Sequence, residues 1–78
     1  MRIRIKEARE AFKDRHGYSL TQERLAELTM TQYTGSIRAK MNILNLMQAG
    51  KMDHPSLRLL EKIAVTCGVD YNFLISGE

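Results

Sequence analysis

The feature that most constrains this chain is the spacing of its apolar residues. Wherever they recur over more than one turn they do so at helical intervals, and each run is bounded by a capping residue or a glycine. Leu57, Leu60, Ala64 and Cys67 stand at i, i+3, i+7 and i+10; Leu59 and Ile63 widen that face, Ser56 is placed to cap its start, and Gly68 closes it. Ile5, Ala8, Ala11 and Phe12 keep the same register up to Arg15-His16, where Gly17 offers a residue able to take positive φ. Met1 to Ile5 also alternates like a strand, but a lone strand of that length without a pairing partner is marginal, so the expectation is a first helix with a frayed start.

Between these two runs lie two more. Ser19-Leu20-Thr21-Gln22 opens a second helix, with Thr21 as N-cap, Leu20 and Leu25 as a hydrophobic staple, and Leu25, Ala26 and Leu28 as its buried side. Ser19 with Gln22 fits a capping box one turn earlier, which leaves that boundary open. Thr29 to Gly35 has no period and reads as an irregular turn. From Ser36 to Ala49 helical order returns. At about 100° per residue Ile37, Met41, Ile43, Leu44, Leu46 and Met47 fall on one broad arc, while Arg38, Asn42 and Asn45 cluster opposite them. Gly50 ends that helix and Lys51 to Pro55 is a loop. After Gly68, Asp70 can cap a short fifth helix ending near Ser76-Gly77, again with a staple, Val69 to Leu74. The expected fold is all-α, a compact five-helix domain.

A chain of 78 residues forms a single domain, and 44% hydrophobic with 27% charged residues excludes disordered, collagen-like and coiled-coil classes. No apolar run approaches the roughly 20 residues of a membrane span, and Met1-Arg2-Ile3-Arg4-Ile5 lacks the apolar stretch of a signal peptide, so a cytoplasmic protein without membrane association is expected. Cys67 is the only cysteine and can form neither an intramolecular disulfide nor a cysteine-based zinc site. So small a core needs efficient helix packing or a partner subunit. Charge is uneven: residues 1–50 carry nine basic against five acidic side chains, residues 51–78 three against four. A basic front suits a polyanion.

His16, His54, Cys67, Ser19 and Asp14 are the residues that acid–base or nucleophilic chemistry could recruit. None stands at a spacing that suggests a triad, and neither a glycine-rich phosphate loop nor a paired metal-ligand motif is present. The expectation is a non-enzyme without metal or cofactor. His16 reads as a helix-end residue favourable to the dipole, His54 as a loop residue, and Cys67 and the methionines as packing.

Two segments carry a resemblance. Ser19-Leu20-Thr21-Gln22-Glu23-Arg24-Leu25-Ala26-Glu27-Leu28 is similar to a Leu-Thr-Gln-x-x-Leu-Ala helix opening. Gly50-Lys51, Pro55-Ser56-Leu57, Leu60, Ile63-Ala64 and Gly68-Val69 follow in the order of a Gly-Lys, Pro-Ser-Leu, Ile-Ala, Gly-Val pattern. Both resemble the Xre-like helix-turn-helix proteins, which include phage repressors, Cro proteins and the controller proteins of restriction-modification systems. From Gln22 to Gly50 the chain is longer than that pattern by roughly two helical turns. The added residues lengthen the turn, extend helix two toward Tyr33, or lengthen helix three.

The resemblance implies a lambda-repressor-like domain that binds double-stranded DNA as a homodimer and regulates transcription, as a repressor and of its own promoter in the simplest case. The segment Ser36–Ala49 would enter the major groove. Arg bonds two acceptors of guanine and Asn bonds adenine's donor and acceptor together, so Arg38, Asn42 and Asn45 are apt base readers, with Thr34 and Lys40 at the edges. Gln22 matches the family residue at the helix-two N-terminus that bonds a DNA phosphate, and Arg24 and Lys51 would add backbone contacts by charge. Tyr71, Phe73 and Ile75, on a helix too short to bury all three, are candidates for the dimer interface. The competing expectation is a protein partner, as for an antitoxin-like module, docked on the exposed third helix.

Overall fold

Capping chemistry sets most of the helix boundaries in the computed structural model, which describes residues 2–52 and 55–76. Among these residues there are five helices and no strand: α1 (Ile5–His16), α2 (Gln22–Thr29), α3 (Ile37–Gln48), α4 (Leu57–Cys67) and α5 (Tyr71–Ser76). Each of α2, α3 and α4 starts on a hydroxyl that accepts a backbone N–H of the first turn: Thr21 from Arg24 at 3.1 Å, Ser36 from Ala39 at 3.2 Å and Ser56 from Leu59 at 3.4 Å. Thr21 rather than Ser19 therefore begins α2. At the far ends, Gly17 (φ 79°) and Gly68 (φ 73°) close α1 and α4 in left-handed backbone. The exposed Arg15 guanidinium lies across Gly68, with its Nη1 2.6 Å from where a Cβ would stand; that flexible end could move aside, so the positive φ is what calls for glycine there.

The core is organised around α4, which packs against α1, α2 and α5 and buries Leu59, Leu60, Ile63, Ala64 and Cys67. From α1 it receives Ile5, Ala8 and Phe12, from α2 Leu25 and Ala26, from α3 Leu44 and Met47, and from α5 Leu74. Leu20 and Leu25, the expected staple, are both buried. Thr29 is the buried polar side chain of this core; its hydroxyl donates to the Leu25 carbonyl at 2.7 Å, which satisfies it within α2. Burial pushes the Cys67 thiol up from its ordinary 9.0 to about 11, against the opposing pull of the Arg9 charge. No helix among the described residues is long and apolar enough to cross a membrane.

Four expectations are corrected. The chain before α1 is an ordered strap rather than a frayed helix start. Ile3 is fully buried, its N–H donates to the Met47 carbonyl at 3.0 Å, and the Arg4 N–H donates to the Leu74 carbonyl at 2.9 Å. The strap thus satisfies carbonyls at the C-terminal ends of α3 and α5. Leu28 is 43% exposed, because it turns away from Leu25 on the side opposite Ala26 and Thr29, and Thr29 takes the inward place. Leu57, although on the inward arc of α4, is its first residue and overhangs the end of the core at 58% exposure. Leu46 lies about 200° round α3 from Leu44 and emerges on the outer flank, 36% exposed. His54 lies outside the described residues.

The segment from Gln22 to Gly50 divides into a short helix, a turn and a longer helix. Helix α2 stops at Thr29 instead of running on toward Tyr33; residues 30–36 form the turn, and α3 runs for 12 residues. Met30 folds back into the core within that turn, while Thr31 to Ser36 are exposed.

Candidate nucleic-acid interface

The N-terminus of α2 is held against the middle of α3 by one side chain. Gln22, the first residue of α2, donates from Nε2 to the Met41 carbonyl at 3.0 Å and to Asn45 Oδ1 at 2.7 Å. An amide nitrogen has two hydrogens, so both are committed to α3. What the pair turns outward is complementary to that bond: the Gln22 Oε1 acceptor and the Asn45 Nδ2 donor, neither hydrogen-bonded among the described residues. Gln22 therefore has no amide hydrogen left for a phosphate. An anion at this end of α2 would meet backbone N–H groups instead.

Helix α3 presents Arg38, Asn42 and Asn45 as exposed side chains on one stripe, because Leu44 and Met47 fix its opposite side in the core. With Ser36, Ile37, Met41 and the α2 residue Glu23, the stripe lines a groove of about 720 Å³. Ala39 completes the wall at the α3 N-terminal end. Arg38 and Asn42 have no hydrogen-bond or ion-pair partner among the described residues, so their polar groups are available to a ligand. Glu23 was not singled out by sequence; its signal is adjacency to Gln22, which puts it on the same turn of α2.

The remaining candidates are dispersed. Thr34 is exposed in the turn and outside the groove wall. Lys40 is half-buried and about 200° round α3 from Arg38, so the helix does not bring it to the stripe. Arg24 is exposed on α2 and paired with Glu27 at 3.1 Å. Lys51 is exposed just beyond α3, its N–H donating to the Leu46 carbonyl at 2.9 Å. At the other end of the molecule, Tyr71, Phe73 and Ile75 are half-buried against the core around the fully buried Leu74. Val65, on the outer side of α4, is a more open apolar side chain than any of them, at 81% exposure.

Comparison with protein-family models, with curated proteins and with solved structures finds no match to this chain.

Proposed function

We propose that this protein binds double-stranded DNA in a sequence-specific manner through α3, as a homodimer, and regulates transcription by occupying an operator. The observation that carries the reading is the Gln22 link: it locks α2 to α3 and leaves Arg38, Asn42 and Asn45 facing outward together. A helix held in this way is preorganised for the major groove, and Arg and Asn are the side chains that read guanine and adenine edges. The Gln22–Asn45 pair adds a ready acceptor and donor side by side. Lys51 and Arg24 supply backbone contacts on either side of the reading helix, Arg24 at the expense of its exposed ion pair with Glu27. Thr34 contacts the duplex from the turn.

Dimerisation is assigned to α5, where Tyr71, Phe73 and Ile75 leave part of their apolar surface uncovered. Two protomers then address half-sites about 34 Å apart, one turn of the duplex.

A second reading, docking of a protein on α3, draws on the exposed Leu46 with Ala39 and Ala49. Fluorescence anisotropy with duplex DNA over a range of salt concentrations separates the two. The DNA reading predicts that log affinity falls linearly and steeply with log salt, with two protomers per duplex in sedimentation. A flat response without sequence preference supports the protein partner.

A further inference from the structure

A second groove, of about 260 Å³, runs along α1 and is lined by Lys6, Arg9, Glu10, Lys13, Ser19 and Gln48. Lys6, Arg9 and Lys13 stand at i, i+3 and i+7 and therefore share one face of α1. Arg9 is committed to structure: its Nε donates to the Leu20 carbonyl at 2.7 Å, which pins the segment leading into α2 against α1. The ammonium groups of Lys6 and Lys13 are exposed and have no carboxylate within ion-pair distance among the described residues, Glu10 included. The groove thus carries an excess of positive charge.

Its far wall connects it to the reading helix. Gln48 follows Asn45 by three residues on α3 and lies one turn farther along the same side of that helix. Ser19 belongs to the segment that delivers Gln22 to α3. On the DNA reading, a duplex seated on Arg38, Asn42 and Asn45 has phosphate strands flanking the occupied major groove, and Gln48 and Ser19 join the α1 groove to the elements that carry those side chains.

We propose that this groove takes the phosphate backbone of the bound duplex, with Lys6 and Lys13 as its cations and Ser19 and Gln48 as neutral donors. The proposal rests on the DNA reading above and extends the contact surface beyond α2 and α3. Contacts of this type set affinity and its salt dependence and carry no sequence information.

The test is the salt dependence of duplex binding by Lys6→Gln with Lys13→Gln, compared with the parent protein. Lys62→Gln serves as the control; it removes a charge at the opposite end of α2, beside Thr29 and Gln32. The double substitution is expected to make the slope of log affinity against log salt shallower by about two, and to weaken preferred and random duplexes by the same factor. Lys62→Gln is expected to leave the slope within measurement error. An unchanged slope in the double variant, with duplex binding intact, overturns the α1 groove and leaves the α3 reading standing. A change in Lys62→Gln of about half that in the double variant, the same per charge removed, reduces the effect to net charge and overturns the groove as well. A parent protein without salt-dependent duplex binding removes both.

Discussion

Helices α3 and α4 are nearly equal in length and are used in opposite ways. Over 11 residues α4 buries Leu59, Leu60, Ile63, Ala64 and Cys67, and three other helices lean on it. Over 12 residues α3 buries only Leu44 and Met47 and spends its outward side on Arg38, Asn42 and Asn45. The contrast separates two roles: α4 holds the core together, and α3 leaves free the side chains on which the proposed DNA reading rests. A domain of this size has roughly 0.05–0.15 kcal/mol of stability per residue, so substitutions on the two helices should separate cleanly.

The sharpest separation comes from Ile63→Ala. It deletes a fully buried side chain at the centre of the core and should cost about 2–5 kcal/mol in chemical denaturation. That is a large share of the total, so a loss below about 1 kcal/mol would mean that α4 is not the spine described here. Ser36→Ala comes next, at about 1 kcal/mol, because it removes the hydroxyl that accepts the Ala39 N–H and starts α3. Its influence should be local. Increased amide exchange confined to the first turn of α3 is expected, and loss of protection throughout α4 would show that the two helices are not as separable as their burial implies.

The same contrast explains how much was legible in the sequence. All of α4 could be read from its period and its two end signals, since a helix packed from several sides needs a broad apolar face and cannot hide it. Leu57 escaped that reading because periodicity gives direction and not depth; the arc points inward even where the core has ended. Helix α2 is too short for its period to distinguish Leu28 from Thr29, and the outcome depended on a hydroxyl that could return a hydrogen bond to its own helix. The strap at Ile3 was invisible for a different reason. Its partners are the ends of α3 and α5, far along the chain, and the alternation of Met1 to Ile5 does not say that the Ile3 and Arg4 N–H groups bond there instead of to a strand.

The candidate interface was legible in part. Arg38, Asn42 and Asn45 could be placed on one exposed stripe because the apolar arc opposite them dictates it. The engagement of Asn45 by Gln22 could not, because it joins residues 23 positions apart through side chains alone. Lys40 fell to the half-buried side for the reason that put Arg38 outward: both follow from the register set by Leu44 and Met47. The sequence left the course of the chain between α2 and α3 open, and packing sets it, with Met30 anchoring the turn and the Ser36 cap fixing where α3 begins.

The central claim is that α3 reads sequence, and the most direct measurement is discrimination by Asn42→Ala. A preferred duplex selected from a randomised pool would be compared with single-base-pair variants, for the parent and the substituted protein. Asn42 is exposed, so folding stability should change by no more than about 0.5 kcal/mol. The account predicts that Asn42→Ala loses about 1–3 kcal/mol of preference at one base pair and leaves affinity for unrelated duplexes unchanged. Equal weakening on every duplex, or a parent protein that enriches no sequence at all, would contradict it.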